Sequence, residues 1–216
     1  VYPGYYNESI VINKSISLIG IGEEKPVIDG GGNRSAVKII ADGCLLKNFE
    51  IVNHGNFSSW PPEKWGMGIE VQSENNIIEE NIVFCNWDGI DIFSPYNIVV
   101  NNTISKAVSG GITCWGDNNT IIYNNVSYNP YAIGIQLSSS NNTVLWNVIT
   151  HNFHGIFFAG NNNNISYNII CNNRECGIQF SFSSYNKILH NIICNNKQEG
   201  IVMAAVSYTD LTLPTN

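Results

Sequence analysis

Residues 119–137, "NTIIYNNVSYNPYAIGIQL", carry two marks that return along the chain. The first is Asn-x-(Ile/Val)-x-x-Asn-x-(Ile/Val), seen again as "NIIEENIV" at 76–83, "NIVVNNTI" at 97–104, "NTVLWNVI" at 142–149, "NNISYNII" at 163–170 and "NKILHNII" at 186–193. The second is Gly-Ile, which begins at Gly68, Gly89, Gly111, Gly134, Gly155, Gly177 and Gly200. Successive glycines lie 21 to 23 residues apart, so the chain is built on one repeat. Inside each repeat apolar residues alternate over short stretches, as at Ile90 and Ile92 or Ile135 and Leu137, and β-branched residues dominate. This pattern predicts strands of about three to five residues.

About three such strands and their turns fill one repeat. A leucine-rich repeat has a similar length but needs a Leu-x-x-Leu-x-Leu frame, and leucine is sparse here. The pattern fits an all-β fold, a single right-handed parallel β-helix of about 22 residues per coil. Coils then stack about 4.8 Å apart, and equivalent residues form columns along the axis. Ile and Val columns fill the interior. The second asparagine of each motif, at Asn81, Asn102, Asn124, Asn147, Asn168 and Asn191, is expected to form an Asn ladder through its side-chain amides. Asparagine is expected to take the left-handed backbone at one corner and the Gly-Ile glycine at another. The chain's 34 asparagines are thereby structural.

Composition narrows the function. The chain has 216 residues, 44% hydrophobic and 12% charged, enough for one domain with a sizeable core. A net charge of -7 with ten Lys and Arg and no basic run argues against a nucleic-acid partner. Apolar runs are too short to insert in a membrane as helices. The six cysteines contain no CxxC, and Cys171 and Cys194, at equal places in two "IICNN" segments, are expected to be buried thiols in one column.

The first 50 residues keep strand character in a different frame: Pro3-Gly4, Tyr6, Glu8, "KSISLIG" at 14–20 and Ile28-Asp29-Gly30. This order resembles the opening coils of NosD-like β-helix proteins, in the class of carbohydrate-binding proteins and sugar hydrolases, and the resemblance extends to about residue 205. It implies a β-helix domain over 1–205, lacking further coils at both ends. It also implies an extracellular or cell-surface location, periplasmic in a Gram-negative cell, and a polysaccharide or cell-surface glycan as partner. The tail at 206–216, "VSYTDLTLPTN", is similar to a translated sequencing-adapter scar and is read as non-native. The segment at about 53–67 is longer than a coil allows; it is read as an insertion loop whose Trp60 and Trp65 are candidates for ligand contact.

Chemistry concentrates at "NWDGIDI", 86–92. With Ile90 and Ile92 inward, Asp91 points outward in a column that reads Glu70, Asp91, Thr113, Gln136, Phe157, Gln179. Glu70 and Asp91 then stand about 4.8 Å apart, near the roughly 5–5.5 Å carboxylate separation of a retaining glycosidase. The segment resembles the "NTDGIDI" motif of polygalacturonases at Asn86, Asp88, Gly89, Ile90, Asp91 and Ile92, which implies a catalytic role for Asp88 and Asp91; with Glu70, supplied by the column spacing, they are the catalytic candidates. The other elements of that family depart: Asp117 stands alone, His154 lacks the preceding glycine and no Arg-x-Lys occurs. The competing reading is that Asp88 and Asp91 are solvated residues at a turn and on an outer strand face. Pectate-lyase chemistry would need Ca²⁺ and a base; the same three carboxylates offer a weak Ca²⁺ site, and no other cofactor is implied. The NosD likeness adds a copper-enzyme accessory role, for which His54, His151, His154 and His190 show no convergent ligand set. The column before the ladder asparagine ends in Tyr123, Trp146, Tyr167 and His190, four rings along about 15 Å that match a run of sugars. The reading adopted is a carbohydrate-interacting or surface-structural module without catalysis, with a polysaccharide-degrading enzyme as the alternative.

Overall fold

The computed structural model describes residues 1–32, 35–52, 66–84, 87–204 and 209–211. Short strands wind into three parallel sheets of nine strands each, with no helix among the described residues. One coil runs from Thr103–Ser105 in the first sheet, through Gly110–Cys114 in the second, to Thr120–Ile122 in the third. Each strand pairs with its equivalents one repeat before and after. The unusual N-terminal frame joins the same sheets, since Tyr5–Asn7, Ile10–Ile12 and Ser17–Ile19 open the first, second and third.

Inward columns form the core. Val83, Ile104, Val126, Ile149 and Ile170 line the first sheet, Ile69, Ile90, Ile112, Ile135, Ile156 and Ile178 the second, and Ile78, Val99, Ile121, Val144 and Ile165 the third, all at 0% exposure. Burying each such side chain is worth about 1.5–3 kcal/mol. Phe158 and Phe180 stack in the same interior, with centroids 4.8 Å apart.

Amide columns close the corners. Asn102 accepts at Oδ1 from the backbone N–H of Asn81 at 2.9 Å, and its own N–H donates to Asn124 Oδ1 at 2.9 Å. The pattern repeats through Asn147, Asn168 and Asn191. Two further columns do the same work: Asn76, Asn97, Asn119, Asn142, Asn163 and Asn186 before the third sheet, and Asn129, Asn152, Asn173 and Asn196 before the second. The left-handed residue at the corner after the third sheet is not the ladder asparagine but the one before it, with φ of 59° at Tyr123 and 56° at Trp146. The repeated glycine also has another purpose. A Cβ on Gly111 would lie 2.5 Å from Gly134 O and 2.5 Å from Val126 Cγ1, so close packing between coils, not backbone handedness, excludes a side chain.

The cysteine expectation also changes. Cys171 and Cys194 are joined as a disulfide, because Ile169–Cys171 and Ile192–Cys194 pair in register and bring their Cα atoms to 4.6 Å. The strand Thr209–Leu211 pairs with Asn186–Leu189 in the third sheet. The open edge of a parallel sheet accepts any short alternating segment that can match its backbone groups. The proposed contact residues Trp60 and Trp65, and His54, lie outside the described residues.

Candidate functional site

The second sheet presents the carboxylates. Its register places Asp91 between Glu70 and Thr113 on neighbouring strands, and Asp88 beside Gly110. A Cβ at Gly110 would stand 2.4 Å from Thr113 Oγ1 and 3.0 Å from Asp88 Oδ1, so the glycine leaves room for both side chains. Glu70 accepts from Ser35 Oγ at 2.5 Å and pairs with Lys38 Nζ at 3.0 Å. The three predicted acids are therefore assembled on one face.

Their environment differs from the solvated one expected. Asp88 begins the strand Asp88–Ile92 and is 9% exposed; Asp91 is 3% exposed. Burial pushes the Asp88 carboxyl up to about 6, against hydrogen bonds from Ser109 and the Gly110 N–H. Asp91 is pushed up to about 8, first by burial, then by the charge of Asp88, with a bond from Thr113 opposing and Glu70 adding a smaller push. Asp91 Oδ1 has no hydrogen-bond partner among the described residues. Asp91 therefore keeps its proton to higher pH than Asp88, and Glu70 pairs with Lys38. Among the described residues no three His, Cys, Asp or Glu side chains are grouped to hold a metal ion.

The ring column stacks on itself. Tyr123 and Trp146 have centroids 6.5 Å apart, Trp146 and Tyr167 4.5 Å, and Tyr167 and His190 5.0 Å, with interplanar angles of 20°, 10° and 22°. The rings lie nearly parallel along the axis, with Tyr123 53%, Trp146 47% and Tyr167 42% exposed. The described histidines serve separate places: His151 stacks on Tyr128, His154 Nδ1 lies 3.1 Å from Cys176 Sγ, and His190 belongs to the ring column.

An open groove lies at the corner leading into the second sheet. It has a volume of about 650 Å³ and is lined by Tyr128, Tyr131 and His151 together with Lys106, Arg174 and Lys197. Tyr131 is 74% exposed and Tyr128 62%. The Arg174 guanidinium lies 5.6 Å from the Tyr131 ring centre and donates from Nη1 to Pro130 O at 3.0 Å. The column Lys106, Tyr128, His151, all with positive φ, was readable from the repeat. Tyr131 and Arg174 come from different coils and were not.

Among solved structures, the enzymatically active domain of tailspike protein 2 from bacteriophage CBA120 superposes with a TM-score of 0.65 at 13% identity, covering 96% of this chain and 41% of that one. A double mutant of the periplasmic alginate epimerase AlgG matches with a TM-score of 0.52 at 16% identity, covering 94% of this chain and 57% of the other. The chain spans 37% of the full-length tailspike. At these identities the likeness is one of fold. A comparison with curated protein sequences found no match. Residues 39–184 match the family described as a right handed beta helix region, which is well over half of the chain. Three parallel sheets, in-register coils and that match agree: the chain belongs to the right-handed β-helix family.

Proposed function

We propose that this domain is a non-catalytic carbohydrate-interacting module that holds a polysaccharide or cell-surface glycan, outside the cell or in the periplasm, in the corner groove. One contrast carries this reading: two of the three candidate acids, Asp91 and Asp88, are sealed at 3% and 9% exposure and the half-buried Glu70 is paired with Lys38, whereas Tyr131 at 74% lines an open groove. A catalytic carboxyl must touch its substrate, and a glycan lying on the second sheet would not reach Asp91. Exposed rings with polar edges suit the apolar faces of sugars. The groove, rather than the Tyr123 to His190 column, is assigned to the glycan because it is concave and its Tyr131, at 74%, is more exposed than Tyr123, Trp146 or Tyr167. A tailspike's enzymatically active domain and an alginate epimerase share the fold.

Co-sedimentation with a panel of insoluble polysaccharides tests this, with Tyr131→Ala expected to abolish retention. Release of reducing ends and unsaturated products, with and without Ca²⁺, is expected to be nil. A second reading, a polysaccharide-degrading enzyme, is favoured by the separation between Asp88 at about 6 and Asp91 at about 8, which would supply a base and an acid. Product formed by the unaltered protein and lost in Asp91→Asn would establish it and overturn the first.

A further inference from the structure

We propose that the corner groove selects an anionic saccharide, a run of sugars bearing carboxylate or sulfate groups; this rests on reading the groove as a glycan site. The chain carries ten Lys and Arg against 17 Asp and Glu, yet Lys106, Arg174 and Lys197 all line this one groove. Among the described residues the ion pairs are made by Lys38 and Lys47, and none of the three groove cations takes part in one. No carboxylate lines the groove among the described residues. Glu175, next in the chain to Arg174, acts on His154 and Cys176 instead.

Arg174 is held for the task. Its bond to Pro130 O fixes one edge of the guanidinium, and the Tyr131 ring lies beside it at 5.6 Å. A carboxylate or sulfate on the remaining N–H edge would therefore sit next to the ring on which its sugar stacks. Lys106 and Lys197 mark the two ends, about four coil steps or ~19 Å apart along the axis, room for several sugar rings. The Lys106 ammonium rests over the Phe84 ring, 5.7 Å from its centre, and Arg174 is held at Pro130 O, yet neither they nor Lys197 has an acidic partner among the described residues, and an uncharged glycan would have no use for that. On a protein of net charge -7, a polyanion needs these cations to overcome general repulsion. Rings interleaved with single cations favour a saccharide over a nucleic acid, whose closely spaced phosphates would call for a denser basic surface.

The test is calorimetric titration of the full chain with size-matched uncharged, uronate and sulfated oligosaccharides and a single-stranded oligonucleotide, at low and physiological salt. Expected is binding of at least one charged saccharide about tenfold or more tighter than the uncharged one at low salt, weakening as salt rises. The uronate and sulfate arms identify the anion. That preference should vanish in the double variant Arg174→Gln, Lys197→Gln, whose side chains are exposed, and persist in Lys187→Gln, which changes an exposed lysine on the third sheet. Equal affinity for charged and uncharged saccharides, both lost in Tyr131→Ala, would overturn the anion selectivity and leave the glycan site standing. A preference that survives the double variant, or tighter binding of the oligonucleotide, would also overturn it. No saccharide bound in any arm would remove both readings.

Discussion

At Asp91 the repeat places a carboxyl between Glu70 and Thr113, and its partly unsatisfied burial makes stability depend on pH. The folded protein holds this proton to about pH 8, whereas the unfolded chain releases it near 4. Between those values the folded state binds more protons, so stability falls as pH rises, and Asp88 at about 6 acts in the same direction. Asp91→Asn keeps the shape without the charge. It is expected to flatten the profile and to stabilise the fold at pH 8 by about 1–3 kcal/mol. Urea unfolding at pH 5 and pH 8 measures this, and a variant no more stable than the parent at pH 8 contradicts it. Asn124 makes the opposite case, a buried polar group fully used. Its Nδ2 donates to Val99 O at 2.9 Å and Ile122 O at 3.1 Å, and its Oδ1 accepts from the Asn102 N–H. Asn124→Ala strands these groups and is expected to cost about 2–4 kcal/mol in the same assay.

Between strands, in-register stacking both permits and constrains. Gly111 sits against Gly134 O and Val126, so Gly111→Ala should destabilise by about 1–3 kcal/mol through overpacking, seen as a lower thermal midpoint. A midpoint equal to the parent's would show that the coils can separate. The Cys171–Cys194 disulfide ties two coils across 23 residues of sequence. Replacing both cysteines with serine is expected to cost about 3 kcal/mol, with the loss greatest in the coils they join. Limited proteolysis followed by mass spectrometry locates it, and cleavage first at distant coils would be the contrary result.

Over the whole molecule each coil contacts its two neighbours, so protection should grade along the axis. Ile112, Ile135 and Ile156 are fully buried, while Ile10 and Leu18 at one end and Ile193 and Ile201 at the other are partly exposed. Amide hydrogen exchange is expected to be slowest at Gly110–Cys114 and Ile133–Leu137 and fastest at both ends. Uniform exchange would mean that the solenoid opens as one unit. The same linear build explains how exposed rings and cations from several coils align at a corner without disturbing the Ile and Val columns.

Fold was legible because stacking turns equivalence in sequence into contact in space. Gly-Ile spacing and the paired asparagines were enough to place Ile90 and Ile92 inside, to set Glu70 beside Asp91 and to align the rings from Tyr123 to His190. What a column looks like to solvent was not legible. Whether Asp91 is wet or sealed depends on how closely neighbouring groups pack over it, and whether rings offer faces or edges depends on their rotamers. Tertiary structure alone decided that Cys171 and Cys194 bond and that Gly111 serves packing rather than handedness. It also decided that Tyr131 and Arg174, 43 positions apart, meet in one groove. A repeat fixes which residues are neighbours; depth, orientation and accessibility are set by side-chain packing.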